Sequence, residues 1–383
     1  MKLNEFMLER IFSRFRPGAK YVLSPSSCES CTMEEILDLA DAECKNLWER
    51  LDLGYNDYRG HVKLREAITG RYRTLGADDV LVVTPEEGIF IALNVLLDPG
   101  DEVVVIHPTL PSLHEIPKAI GCTVIPWALE ATEWGGWRLD TDFLNRAISP
   151  KTKLIALNIP NNPTGYMPVM ADIQRIANIA DRTGAWILCE ETYRGMEHDP
   201  GVDLPSMADI YPRAIALGGV NKIGLAGSRI GWLASRNRSA IAGCFGFKDY
   251  TTLCPSASSE ILALIAMRNF GHLAERNRRV ILENVELAEG FFNSKPAWFN
   301  WSSPNGGSTA FPKLQYPYKV SDLCDRAASE ASILVIPDRI FSINQNRFRI
   351  GFGRRDFGQA LAMFTDFMDK FTAAKPGEAE GDA

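Results

Sequence analysis

The chain has 383 residues, of which 46 % are hydrophobic and 23 % charged. That excludes disorder over most of its length and, at about 150 residues per domain, provides for two or three domains. The 41 basic and 48 acidic side chains leave a net charge of −7. No basic excess exists to neutralise a nucleic-acid backbone, so a protein held by phosphate contacts to nucleic acid is excluded. A small anionic ligand is not, because a few well-placed donors suffice for it.

The N-terminal run MKLNEFMLERIFSRFRPG mixes charges into every turn and has no apolar stretch of the secretory kind. No 18 consecutive apolar residues occur, so no membrane span is expected. The cysteines, Cys28, Cys31, Cys44, Cys122, Cys189, Cys244, Cys254 and Cys324, are scattered, which reads as a reduced, cytoplasmic protein. Cys28 and Cys31 form a C-x-x-C, but no second pair completes a zinc site and no thioredoxin-like context surrounds them. The histidines, at 61, 107, 114, 198 and 272, lack ligand spacing, and no metal is expected.

In chain order, a helix is expected around Asn4 to Phe15, packing on the smaller domain or on a partner chain. Val80 to Val83 is a β-branched strand, and Gly88 to Leu97 has helical periodicity. Asp98-Pro99-Gly100-Asp101 is a turn. Glu102 to Ile106 reads as a strand, Pro111 to Ile120 as a helix, Cys122 to Pro126 as a strand and Thr152 to Leu157 as another. Val169 to Thr183 is a helix, followed by strands at Ala185 to Cys189, Ala214 to Leu217 and Ile230 to Ala234. Apolar strands without period-two alternation are buried on both faces, and strands separated by helices make βαβ crossovers. The fold class is therefore α/β, with a mainly parallel sheet sandwiched by helices. Later come long helices from about Ser256 to Phe292, broken near Gly271. Short strands near Ser308 to Pro312, Ile333 to Ile336 and Phe348 to Phe352 and a helix from Asp356 to Phe371 suggest a smaller α+β domain. The expected division is a large domain over 46–270, a small domain from 1–45 and 271–374, and a frayed tail over 375–383.

Ligands of open α/β sheets sit beyond the carboxyl ends of the strands. Leu157 is followed by NIPNNPTG, Leu188 by CEETYR, and Leu217 by GGVNKIGLAGSRIG. Three strand ends thus deliver an amide, a carboxylate with a phenol, and a lysine with an arginine. These are the groups a pyridoxal phosphate site requires: an amine for the aldehyde carbon, an acid to hold the pyridine nitrogen protonated, donors for O3′, and a cation for the phosphate.

Here the sequence resembles the class I/II aminotransferases of the large pyridoxal-phosphate fold. Their pattern N-P-x-N-P-T-G, D-E-x-Y, S-x-S-K-x-x-G-x-x-G-x-R-x-G and a late R-I reads here as NIPNNPTG, EETY, GVNKIGLAGSRIG and RFRIG. The order and intervals are specific, although each motif alone is weak. The resemblance implies Lys222 as the Schiff-base lysine, Glu190 at the pyridine nitrogen, and Asn162 and Tyr193 at O3′. It implies Arg229 at the phosphate and Arg349 as the two-pronged partner of the substrate α-carboxylate, with Arg347 two residues away as a competitor. It also implies a homodimer in which Tyr55 reaches the phosphate of the neighbouring subunit. Glu191 would be the family's second, structural acid.

Several positions depart from the pattern. Glu190 replaces the family's aspartate and is one methylene longer. The phosphate turn reads Thr84-Pro85-Glu86-Glu87-Gly88. Pro85 has no N–H, so Glu86, Glu87 and Gly88 are expected to supply the backbone donors, with the two acidic side chains pointing away. The lysine-to-arginine interval is one residue short. Leu110 stands where an aromatic ring usually stacks on the cofactor. The N-terminal loop Ser24-Pro25-Ser26-Ser27-Cys28-Glu29-Ser30-Cys31-Thr32, with PEEGIF, is similar to a subgroup that includes capreomycidine-synthase-like enzymes. Those cyclise hydroxylated arginines by elimination and ring closure. On that resemblance Ser26 would touch substrate, and Glu29 or Asp57 would read a guanidinium. Alternatively the loop only caps a helix, since Thr32 and Glu35 form a capping box.

Three functions are consistent with these residues. The simplest is an aminotransferase acting on an α-amino acid. The second is an elimination or cyclisation enzyme using the same cofactor. The third is a non-catalytic sensor, against which the joint presence of Lys222, Arg229 and Arg349 argues.

Overall fold

The structure is a computed structural model that describes residues 2–15, 17–132, 136–315 and 317–373. The expected tail over 375–383 lies outside the described residues. The main sheet has eight strands: β1 (Val80–Val83), β2 (Glu102–His107), β3 (Thr123–Ala131), β4 (Trp137–Leu139), β5 (Thr152–Asn158), β6 (Trp186–Glu190), β7 (Ala214–Gly219) and β8 (Gly231–Ala234). Their spatial order is β1-β8-β7-β6-β5-β2-β3-β4. The central pairs β3-β2-β5-β6-β7 are parallel, while β8 runs antiparallel between β7 and β1, and β4 antiparallel to β3.

Helices cover both faces, as the unbroken apolar strands require. On one face Ile89, Ala92 and Leu93 of the helix Pro85–Leu96 pack with Val83, Leu217 and Leu233. On the other, Ile173, Ile176 and Ala180 of the helix Met170–Thr183 pack with Ile155, Leu157 and Ile187. Gly88 permits the first contact: a Cβ there would lie 2.6 Å from Leu217 Cδ1 and 2.9 Å from Val83 Cγ2.

The smaller part holds an antiparallel sheet of Thr309–Ala310, Phe348–Gly351 and Ile336–Pro337. A strap over residues 21–28 runs along it. Tyr21–Val22 pairs with Ile333–Leu334, and Leu23 accepts from the Gly351 N–H at 2.7 Å. The strap fits only because of the glycines in RIGFG. A Cβ on Gly351 would lie 1.9 Å from the Pro25 carbonyl oxygen, and one on Gly353 would lie 2.6 Å from Cys28 Cα. After the strap, the capping box forms as expected, with Glu35 N–H donating to Thr32 Oγ1 and Thr32 N–H to Glu35 Oε2.

The N-terminal helix α1 (Met7–Phe15) seats Leu8 among Phe311, Leu334, Ile336, Ile340 and Phe341. Asn4 ties it to the large part by donating to Glu115 Oε2 at 2.6 Å. It therefore spans the cleft between the two parts. Among the described residues no helix is long and apolar enough to cross a membrane.

Candidate active site

Parallel pairing fixes three neighbouring strand ends. Asn158 lies beside Glu190, and Glu190 beside Leu217. The loops that follow open into a cleft with about 740 Å³ of empty volume, lined by Ser26, Glu86, Leu110, Asn162, Glu190, Tyr193, Lys222 and Arg229 among others.

Lys222 is buried, and its Nζ donates to the Ser26 carbonyl at 3.0 Å and approaches Ser26 Oγ at 3.3 Å. The ammonium lies 4.8 Å from the centre of the Tyr193 ring. Asn277 Nδ2 holds the Lys222 carbonyl from the helix Phe270–Asn293. The short lysine-to-arginine loop closes through two left-handed residues, Gly224 (φ 108°) and Arg229 (φ 57°). A Cβ on Gly224 would also meet Cys31 Sγ at 2.7 Å, so that position demands glycine.

Glu190 is 3 % exposed. Its Oε1 accepts from the Thr192 N–H at 2.9 Å and its Oε2 from Asn158 Nδ2. Burial raises its pKa, while hydrogen bonding from Thr192 and the charge of Lys222 oppose the rise. Such a carboxylate gains from any cation that docks against it. Glu191 faces the other way and accepts from Ser206 Oγ and the Met207 N–H, which is the structural part expected of it.

Tyr193 donates to the Ser26 carbonyl at 2.5 Å, and Ser308 Oγ lies 3.1 Å from the Tyr193 oxygen. Three donors, from Lys222, Tyr193 and Ser308, therefore converge on the one Ser26 carbonyl. Arg349 is fully buried beneath the strap. Its Nε and Nη2 donate to the Ser24 carbonyl at 3.1 and 2.9 Å, and its Nη1 to Asn162 Oδ1 at 3.1 Å. That contact engages the Asn162 oxygen, and among the described residues its Nδ2 has no acceptor. Burial pulls the guanidinium pKa down to about 10. Arg347 is separated from this group: it donates to the Phe311 carbonyl and lies over Trp137.

Four expectations need correction. Gly88 does not offer its N–H to a ligand, because it closes the first helical bond to the Thr84 carbonyl at 2.8 Å. Counting N–H groups by sequence overlooked that the fourth helical residue is already paired. Of the two acids in this turn, only Glu87 points away. It accepts from Thr84, Thr251 and Thr252, and although burial opposes it, those bonds lower its pKa. Glu86 instead stands in the cleft. Crowding by the cleft raises its carboxyl pKa, with Glu190 and Glu9 pushing the same way and Ser112 and the charge of Arg229 opposing.

Glu29 does not face the cleft either; its carboxylate accepts from the Arg355 N–H and pairs with Arg354. Asp57 is held by the Arg59 N–H and by Arg65, outside the cavity of its own chain. Tyr55, expected to serve the neighbouring subunit and not its own chain, is 81 % exposed. Sequence reasoning missed Glu9, which lines the cleft from α1, and Asn158, whose place in NIPNNPTG was the available signal.

The chain matches the family model for aminotransferase class I and II over residues 31–356. It belongs to that family, and is an enzyme that depends on pyridoxal phosphate. It is 30 % identical over 379 residues to capreomycidine synthase of Streptomyces vinaceus, covering 95 % of this chain and 92 % of that one. A PLP-dependent aminotransferase from Streptococcus suis superposes with a TM-score of 0.89 at 27 % identity, covering 97 % and 98 % of the two chains. The PLP-dependent cyclase OrfR shares the fold, with a TM-score of 0.86 at 24 % identity and 97 % of each chain covered.

The residues present fit this cofactor. Asn162, Tyr193 and the buried Glu190 line the same cleft as Lys222. Arg229 and the N–H groups of Glu86 and Glu87, which have no backbone partner among the described residues, form an anion-binding corner at the helix N-terminus.

Proposed function

We propose that this enzyme acts on an α-amino acid through covalent attachment of the cofactor to Lys222 and removal of the Cα proton, most simply as an aminotransferase. When bound, pyridoxal phosphate supplies an aldehyde for the amine and a ring that takes up the electron pair left at Cα. Lys222 then moves the proton at Cα. Glu190 keeps a proton on the pyridine nitrogen as its ionised partner. Asn162 and Tyr193 donate to O3′, and Leu110 covers the ring face by dispersion. Arg229 and the amides of Glu86 and Glu87 hold the phosphate. Arg349, buried against the Ser24 carbonyl and Asn162 Oδ1, is the arginine that the family resemblance assigns to the substrate α-carboxylate. The observation that carries this reading is the meeting of Lys222, Glu190, Asn162 and Tyr193 in one cleft from three strand ends.

Elimination or ring closure is the second reading, supported by the likeness to capreomycidine synthase along nearly the whole chain. Which bond breaks after the Cα proton is removed depends on pocket shape, which the shared fold does not fix. We also propose a homodimer, with the exposed Tyr55 of each chain serving its partner's phosphate corner. The test is incubation with amino acids in heavy water. Aminotransfer predicts that 2-oxoglutarate or another keto acid regenerates the starting absorbance after an amino donor has discharged it. Cα deuterium exchange without regeneration by any common keto acid favours elimination or cyclisation.

A further inference from the structure

Tyr193 rests on a turn, Pro304-Asn305-Gly306-Gly307-Ser308, that carries no charged side chain. The turn leads into the strand Thr309–Ala310 of the smaller sheet. Its Asn305 and Gly306 N–H groups donate to the Gly165 carbonyl of NIPNNPTG, both at 3.1 Å, so it bridges the two parts of the molecule. Gly307 presses on the tyrosine. It holds φ at 70°, and a Cβ there would lie 3.3 Å from Tyr193 Cγ. Its N–H donates to the Met196 carbonyl at 2.9 Å. Ser308 follows, with its Oγ 3.1 Å from the Tyr193 oxygen and 3.1 Å from the Ser26 carbonyl. Where the turn sits therefore sets where the Tyr193 ring and hydroxyl sit.

His198 holds that turn at three points. Its backbone N–H donates to the Asn305 carbonyl at 3.2 Å. Both ring nitrogens face further carbonyls, Nδ1 that of Pro304 at 3.1 Å and Nε2 that of Gly307 at 2.9 Å. A neutral imidazole has one N–H, so it donates to one of these oxygens and turns a lone pair toward the other. Only the imidazolium donates to both. Burial draws the ring's pKa below the ordinary imidazole value, and the two carbonyls oppose the fall. Two charged groups face it. Arg278, from the helix Phe270–Asn293, lowers the pKa as well, and Glu197, its neighbour in sequence, raises it. Arg278 is itself paired with Glu275, and Glu197 accepts from the Gly195 N–H. The turn and the segment Gly165-Tyr166-Met167 add no charge. The ring is therefore mostly neutral at neutral pH and takes up its second proton in mild acid.

We infer that His198 is a positioning residue for Tyr193, acting through the Gly307 carbonyl, and that it clamps both ends of the turn only when its ring carries two protons. This rests on the placement of Tyr193 at the cofactor given above. With the ring neutral, one carbonyl of the turn loses its donor and the seat of Tyr193 loosens. With the ring protonated, the turn closes against Tyr193.

The test follows cofactor absorbance of the holoenzyme from about pH 5 to about pH 8, a range that brackets the ordinary imidazole value. It compares wild type with His198→Gln, which keeps one donor, His198→Phe, which keeps the bulk of the ring, and Tyr193→Phe. Wild type should show an absorbance step with its midpoint below about 6.5. Both His198 variants should lack the step, because neither takes up a proton. Tyr193→Phe should lack it too, and its band should be shifted at every pH. Deuterium exchange at Cα of a saturating amino acid gives a second reading. The ratio of wild-type to His198→Gln rates should rise severalfold from the alkaline to the acid end, since the titration of Lys222 is common to both proteins. No step in wild type, a step that persists in any of the three variants, or a rate ratio independent of pH overturns this inference alone. A Tyr193→Phe holoenzyme with the wild-type spectrum overturns the placement of Tyr193 at the cofactor, and this inference with it.

Discussion

Replacing Glu190 by Gln removes one charge and keeps nearly the same shape. In the wild type, Oε1 accepts from the Thr192 N–H and Oε2 from Asn158 Nδ2. A glutamine can accept only through its oxygen, so one of these donors faces an NH2 instead. Asn158 cannot turn over to compensate, because its Oδ1 accepts from the Asn162 N–H at 2.7 Å. Either the Thr192 N–H is left unpaired or the Asn158 amide keeps only its longer contacts to the Pro160 and Glu190 carbonyls, at a cost of about 1–3 kcal/mol in stability. The catalytic effect is separate. A protonated ring nitrogen in this buried position loses its counter-charge, worth about 3–5 kcal/mol. At 1.36 kcal/mol per decade, Cα proton loss should slow by roughly a hundredfold to several thousandfold. The assay is deuterium uptake at Cα of a saturating amino acid, read by mass spectrometry, with cofactor content and thermal unfolding measured alongside. A folded, cofactor-loaded Glu190→Gln enzyme exchanging within tenfold of wild type would refute the pairing.

Two other residues give predictions of a different kind. Gly88→Ala puts a methyl 2.6 Å from Leu217 Cδ1, so overpacking costs about 1–3 kcal/mol, offset by about 1 kcal/mol of better helix propensity. Its N–H still bonds Thr84, so thermal unfolding should drop by a few degrees while the cofactor dissociation constant stays within about twofold. Glu260 is 1 % exposed, accepts from the His61 N–H at 2.6 Å, and has its pKa raised by burial to about 7. An acid raised in the folded state binds more protons there than in the unfolded chain. Stability should therefore fall as pH rises from about 4.5 to about 7, by on the order of 3 kcal/mol, and level off above. Glu260→Gln should lack that part of the pH dependence in denaturant melts; identical slopes in the two proteins would show that Glu260 titrates normally.

Much of this was legible in the sequence because the decisive signals were local. Strands β1, β2, β5, β6 and β7 are β-branched or apolar runs, and their carboxyl ends carry the motifs that follow them directly. Burial on both faces leaves little freedom for such runs except a covered parallel sheet. What was not legible depends on contacts between distant parts of the chain. Glu29 and Asp57 looked available until Arg354 and Arg65 were placed beside them. Glu9 lies more than 200 residues from Lys222, and nothing in its neighbours announces that α1 crosses the cleft. Glu86 was expected to avoid a phosphate on charge grounds. The helix geometry instead turns Glu87 onto Thr251 and Thr252 and leaves Glu86 facing the cleft. Gly88 kept its place in the turn but changed its work, from donor to a gap that lets helix meet sheet.

The central claim is that Lys222 carries the cofactor. The most direct measurement is borohydride reduction of the purified holoenzyme followed by peptide mass mapping. One cofactor adduct is expected, on the peptide containing Lys222, and a Lys222→Ala protein should show neither the adduct nor the visible absorbance band. An adduct on another lysine would contradict it, as on Lys248, whose buried Nζ is held by the carbonyls of Tyr58 and Leu253. So would a wild-type protein that takes up no cofactor.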